Sequence, residues 1–120
     1  MEIVSIDEWV REIRAQPGSA AVGMMLVHQG VVRGTSRAGA PVRGVSLRAD
    51  GERLGDVVAE ARSAPGVFAV RAWVNEGELS VGDDIMRALV AGDIREHVFA
   101  ALRQLVSRIK TEVVTESDLS

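Results

Sequence analysis

Apolar residues recur along the chain with helical spacing in three segments. The first follows Ser5-Ile6-Asp7-Glu8, a capping box in which a hydroxyl precedes a carboxylate by three residues. The second begins at Asp50-Gly51, and the third begins at Asp93, which is predicted to cap a long helix with Glu96 at its third position. The pattern therefore predicts three helices.

Apolar runs rich in β-branched residues predict strands between these helices. They cover residues 20–32, 42–48, 67–74, 79–91 with an interruption at Gly82-Asp83, and 112–115. Residues 67–74 are apolar on both faces, which predicts a central strand. The order α-β-β-α-β-β-α-β predicts an α+β fold, with a mixed, mainly antiparallel sheet packed against three helices, and not a doubly wound sheet.

Length and composition restrict the protein to one class. A chain of 120 residues with 47% hydrophobic and 26% charged residues predicts a single globular domain over 1–120, with a flexible tail at 114–120. Aromatic residues make up only 3%, and the net charge is −3, so binding to nucleic acid is not expected. No membrane span or signal peptide is recognisable, and a cytoplasmic location is predicted.

The residue types exclude several kinds of chemistry. The chain has no cysteine, which rules out disulfides, thiolate catalysis and iron–sulfur clusters, and no metal site is predicted. His28 and His97 have no carboxylate partner evident in the sequence, and each is interpreted first as a structural or surface residue. What remains is cationic chemistry directed at an anionic ligand.

Three cations stand out by position. Arg33 lies where a predicted strand meets a glycine-rich loop, Arg95 lies in the first turn of the last helix, and Lys110, the only lysine, ends that helix. Each also has an ordinary explanation. Arg33 is then a solvated loop residue, Arg95 pairs with Glu96 or Glu78, and Lys110 complements the helix dipole.

The segment from Gly77 to Lys110, GELSVGDDIMRALVAGDIREHVFAALRQLVSRIK, resembles the catalytic (large) subunit of molybdopterin synthase. The family has a Gly-x-Leu-x-x-Gly-Asp/Glu segment, a His-Arg-x-x-Ala-Phe helix start and a lysine that ends the helix. The corresponding residues are Gly77, Leu79, Gly82, Asp83, Arg95, Phe99 and Lys110. Gly30-Val31-Val32-Arg33 resembles the family's strand end, and the likeness extends from about Val22 to Val113.

The resemblance implies an α/β-hammerhead fold and a sulfurtransferase of molybdenum cofactor biosynthesis. Sulfur would pass from the thiocarboxylated tail of a small ubiquitin-like subunit to a cyclic pyranopterin phosphate, with the large subunits forming a homodimer. The pterin precursor is a substrate, and no cofactor is implied. Lys110 would be the catalytic residue, Arg33 and Arg95 would hold phosphate or the tail carboxylate, and His28 and Phe99 would border the pocket.

The sequence also departs from the family pattern. Ile94 stands in place of the histidine before the helix arginine, and Ser117 replaces a second active-site lysine. Glu116 and Val114 replace the tryptophan and proline of the same motif, and His28 replaces an aromatic residue. Two alternatives therefore stay open: a non-catalytic paralogue that binds the partner or a pterin, and an unrelated anion-binding domain. Convergence of Arg33, Arg95 and Lys110, in one chain or across a dimer, would favour the enzyme.

Overall fold

Residues 3–120, which the computed structural model describes, form three α-helices and six strands. The helices are α1 (Ile6–Ala15), α2 (Gly51–Arg62) and α3 (Arg95–Arg108). The strands are β1 (Met24–Val31), β2 (Gly44–Ala49), β3 (Val67–Val74), β4 (Gly77–Ser80), β5 (Asp84–Gly92) and β6 (Val114–Leu119). A short 3₁₀ turn, Ser19–Ala21, precedes β1, and a π-helical turn, Ile109–Val113, joins α3 to β6.

The strands form two three-stranded antiparallel sheets. One sheet has the order β1-β5-β3, and the other has the order β4-β2-β6. The interrupted strand predicted over 79–91 is therefore two strands, and its halves belong to different sheets. The predicted α+β class, with three helices and antiparallel pairing, is confirmed.

The prediction that β3 is central was wrong, because β5 occupies the middle of its sheet and β3 is an edge strand. Its two faces are apolar because helices cover both of them. Val70 packs in the main core with Val57 of α2. On the opposite face, Trp73 packs in a second cluster with Trp9 of α1. Burial on both faces therefore arose from helices above and below, and not from strands on either side.

The last residues, predicted as a flexible tail, are mostly strand β6 in the structure. Six residues pair with β2 in a regular antiparallel register, from Ala49 opposite Val114 to Gly44 opposite Leu119. Strand β2 lies between β4 and β6, so both of its hydrogen-bonding edges are satisfied. This register also determines which face of the sheet each β6 side chain occupies, because paired residues on β2 and β6 share a face.

Two of the three predicted helix starts are confirmed, and each has a side-chain cap. The Ser5 hydroxyl accepts a hydrogen bond from the backbone N–H of Glu8 at 3.2 Å, and the Asp50 carboxylate accepts one from Arg53 at 3.0 Å. No helix among residues 3–120 is long and apolar enough to cross a membrane.

The start of α3 differs from the prediction, because Ile94 and not Asp93 is the N-cap residue. The backbone N–H of Asp93 donates to the carbonyl of Gly66, which keeps Asp93 in the extended chain at the end of β5. Its carboxylate accepts from the adjacent N–H of Ile94 at 2.6 Å and contacts Nδ1 of His97 at 2.8 Å. These hydrogen bonds lower the pKa of Asp93, with the one from His97 contributing most.

Candidate functional site

Lys110 is held in place by the buried residues on either side of it in the π-helical turn. Ile109 and Val113 are 0% and 4% exposed, whereas Lys110 is exposed. The Thr111 hydroxyl donates to the carbonyl of Ser107 at 2.9 Å, which links the turn to the end of α3. Single π-helical turns occur frequently at functional sites.

An ion-pair network fixes the same turn to both neighbouring helices. Arg108 lies 2.7 Å from Glu112 and 2.7 Å from Glu60 of α2, and Arg53 of α2 also binds Glu112. Hydrogen bonds from Arg108 and then from Arg53 lower the pKa of Glu112 to about 2. The network does not include Lys110, which forms no ion pair within residues 3–120.

A polar cleft of about 620 Å³ opens beside Lys110, between the end of β1, the loop after it, β2 and β6. Arg33 and Arg37 lie in the loop wall of this cleft, and Lys110 lines it from the π-helical turn. Arg33 is oriented by a hydrogen bond from its Nε to the carbonyl of Thr35, at 2.9 Å. Two of the predicted cations, Arg33 and Lys110, thus border the same cavity.

The β6 wall of the polar cleft is acidic and is formed by Glu116 and Asp118. Glu116 is opposite Leu47 and Asp118 is opposite Val45, and both β2 residues are buried on the inner face of the sheet. Side chains two residues apart in a strand point the same way, so both carboxylates face inwards and Ser117 faces outwards. Asp118 and Arg37 were not singled out from the sequence.

Lys110 also lines an apolar hollow of about 440 Å³, between β1 and α3. Its lining includes His28 and Phe99, the two residues predicted to border the pocket, and Phe99 is 45% exposed. The Nε2 atom of His28 is buried and has no hydrogen-bond partner within the described chain. Burial lowers the pKa of His28, and the positive charge of Lys110 lowers it further.

Arg95 lies apart from both cavities. Its side chain is 77% exposed, and its Nε is 3.9 Å from a carboxylate oxygen of Glu96. Helix α3 and the π-helical turn separate Arg95 from Lys110 by roughly 20 Å along the helix axis. Within one chain, therefore, Arg33 shares the polar cleft with Lys110, and His28 and Phe99 share the apolar hollow with Lys110, whereas Arg95 lines neither cavity.

Comparison with known proteins agrees with this architecture. A family model described as MoaE protein matches residues 2–112. A search of curated protein sequences found no match.

Several solved structures are similar. Molybdopterin synthase from Staphylococcus aureus superposes with a TM-score of 0.79 at 19% identity, over 99% of this chain and 87% of that one. Molybdopterin cofactor biosynthesis protein E from Burkholderia multivorans gives 0.75 at 22% identity, over 97% and 81%. The complex of subunits 1 and 2 of molybdopterin-converting factor from Helicobacter pylori gives 0.69 at 15% identity, over 96% and 78%. At these identities the likeness establishes the fold and not the activity.

Proposed function

Because this chain belongs to the MoaE family of molybdopterin synthase large subunits, we propose that it catalyses sulfur transfer in molybdenum cofactor biosynthesis. The donor would be the thiocarboxylated tail of a small ubiquitin-like subunit, and the acceptor a cyclic pyranopterin phosphate. The similar Helicobacter pylori structure is a complex of two different subunits, which supports a partner of this kind. Membership of the family implies a role in molybdopterin biosynthesis, and the reaction itself is our proposal.

The observation that carries the proposal is the placement of Lys110 where two cavities meet. The polar cleft and the apolar hollow both include Lys110 in their walls. A sulfur donor and a sulfur acceptor can therefore approach the same amine from two sides. Lys110 is assigned the catalytic role, as an acid–base group or as a nucleophile in its neutral form.

Arg33 is assigned to anion binding in the polar cleft. A guanidinium group can donate two parallel hydrogen bonds to a phosphate or a carboxylate, which a lysine cannot do. Arg37 in the same wall adds a second cation that the sequence had not indicated. His28 and Phe99 are assigned to the wall of the neighbouring hollow, where burial and the nearby ammonium group lower the pKa of His28.

Reconstitution tests the reaction directly. We expect the purified chain, mixed with thiocarboxylated small subunit and pterin precursor, to form molybdopterin, and Lys110→Ala to abolish its formation. Arg48→Ala is a matched control, because Arg48 is an exposed cation of β2 that does not line the polar cleft. Product formation that survives Lys110→Ala in the folded protein would refute the catalytic assignment.

The proposed role of Arg95 requires a second copy of the chain. If Arg95 of one protomer reaches the polar cleft of its partner, Lys110→Ala and Arg95→Ala are each inactive alone. Mixed dimers of the two variants would then contain one intact site, and random re-association would restore about a quarter of the wild-type sites. Complementation would be zero if both residues acted within one chain, because neither chain of a mixed dimer would then hold both side chains.

One observation favours a second candidate function, that of a non-catalytic module binding the partner or a pterin. Residue 117, where the family has its second active-site lysine, is a serine on the outward face of β6. The cleft then contains one lysine, and two carboxylates line it as well. A module of this type would bind the ubiquitin-like subunit equally well with and without Lys110→Ala, and it would form no product.

A further inference from the structure

The polar cleft is lined by charges of both signs. Arg33 and Arg37 belong to the wall formed by the loop after β1, Glu116 and Asp118 belong to the wall formed by β6, and Lys110 lines the cleft from the π-helical turn. None of these five side chains takes part in any ion pair formed by residues 3–120. The opposite charges thus line one cleft without pairing with each other.

Strand β6 holds the acidic wall in position. Glu116 and Asp118 are two residues apart and lie opposite Leu47 and Val45, whose side chains are 1% and 5% exposed. The alternation of side chains along a strand therefore commits both carboxylates to the inner side of the sheet. Both residues are exposed, and their common direction follows from the register.

Such a cleft selects a ligand with two chemically different ends. A compact anion would be attracted by the arginine wall but repelled by the carboxylates, and a compact cation would be attracted by the carboxylates but repelled by the arginines. A ligand with an anionic group at one end and N–H donors at the other satisfies both walls. The cleft volume of about 620 Å³ is within the usual range for a small-molecule site.

We propose that Glu116 and Asp118 bind the 2-amino-4-oxopyrimidine edge of a pterin, while Arg33 and Arg37 bind its phosphate. This edge presents an amino N–H beside a ring N–H, and the two point in parallel. A carboxylate accepts such a pair through its two oxygens, in the same way that it accepts the fork of an arginine. The assignment rests on the proposed function, since the pterin class of substrate comes from it.

The test compares two ligands that differ only at the 2-position, 6-hydroxymethylpterin and 6-hydroxymethyl-lumazine. The lumazine carries an oxygen in place of the amino group, so it offers an acceptor where the pterin offers a donor. Binding is followed at pH 7 by ligand fluorescence, without a sulfur donor. We expect the wild-type protein to bind the pterin more tightly than the lumazine.

The variants Glu116→Gln and Asp118→Asn keep the shape of each side chain but replace one acceptor by a donor. An amide matches the lumazine edge better than the pterin edge, so the preference for pterin should fall by about 10- to 100-fold in the double variant. Glu78→Gln is the matched control, because Glu78 is an exposed carboxylate of β4 in the same sheet and does not line the polar cleft. Circular dichroism checks that each variant is folded.

Inorganic phosphate, followed by ³¹P NMR, tests the other wall separately. We expect phosphate to bind more tightly to the double variant, because two negative charges have been removed, and more weakly to Arg33→Ala. An unchanged pterin preference in the folded double variant would overturn the inference. Wild-type protein that binds phosphate but shows no preference for the pterin would overturn it as well.

The outcomes also separate this inference from the proposed function. Pterin selectivity that depends on Glu116 and Asp118, combined with no molybdopterin formation in the reconstituted system, would refute the reaction and leave the recognition intact. Molybdopterin formation and pterin preference that are both unaffected by the double variant would refute the recognition and leave the reaction intact.

Discussion

Substitutions at two adjacent residues of the π-helical turn should have different effects, because one residue is expected to matter for stability and the other for activity. Ile109 is 0% exposed and packs in the main core, whereas Lys110 is exposed and makes no ion pair within the described residues. Ile109→Val removes one buried methyl group and should lower the free energy of unfolding by about 0.5–1.5 kcal/mol. Lys110→Ala removes no buried contact and should change this free energy by less than about 0.5 kcal/mol.

The effects on turnover should be the reverse. Loss of a general acid–base group costs about 10²- to 10⁴-fold in rate, so Lys110→Ala should reduce molybdopterin formation to that extent or further. Ile109→Val keeps the amine and should retain most of the activity at a temperature where the protein remains folded. Urea unfolding followed by circular dichroism gives the stabilities, and single-turnover assays give the rates. A Lys110→Ala protein destabilised by more than about 1.5 kcal/mol would refute the argument, because Lys110 would then have a structural role.

Four further predictions follow from the site. Lys110→Gln should raise the pKa of His28, since a nearby positive charge is lost while the burial of the imidazole remains. NMR titration of the imidazole would detect the rise in pKa, and an unchanged pKa would mean that the two groups are not neighbours. Glu112 has a folded-state pKa of about 2, below its ordinary value of 4.5, so its contribution to stability is present above pH 4.5 and is lost as the pH falls towards 2. Glu112→Gln should therefore lower Tm at pH 7 and have little effect near pH 2, and an equal drop at both pH values would contradict this. Arg33→Ala should weaken phosphate binding about 10-fold, as measured by ³¹P NMR, and Arg33→Lys should restore only part of the lost affinity. Full recovery with lysine would argue against bidentate hydrogen bonding by Arg33. Ser117→Lys should not raise turnover in the reconstituted assay, because that side chain lies on the outer face of β6, and a clear gain would contradict the register.

Local signals in the sequence predicted most of the fold. The caps at Ser5 and Asp50 and the turn at Gly82-Asp83 depend on neighbouring residues alone, and the structure has them where the pattern indicated. The location of β3 at an edge could not be read in this way, because an apolar strand looks the same whether helices or strands surround it. The strand predicted over 112–115 overlaps only the start of β6, since the pairing of the polar residues after it is determined by an edge of β2 that is distant in the sequence.

The candidate site was only partly predictable for the same reason. Arg33 and Lys110 were singled out individually, but their common cleft depends on the pairing of β2 with β6 and on the direction in which the π-helical turn points Lys110. Asp118 would have been noticed only if 114–119 had been predicted as a strand, because the i, i+2 spacing then places it beside Glu116. Arg37 had no signal beyond its presence in a polar loop.

The register of β6 shows which of the residues that differ from the family pattern can affect the polar cleft. Residue 117 faces outwards, so an amine at this position would not reach the polar cleft in the present register. The side chains that do face the cleft are carboxylates, at 116 and 118. The change is therefore larger than the loss of one lysine, because the β6 wall of the cleft is negatively charged. A cleft lined by charges of both signs favours an anion whose other end offers hydrogen-bond donors to the carboxylates. If the chain retains the sulfur-transfer reaction, Lys110 has to perform it without a second lysine from β6, on a substrate held from both ends.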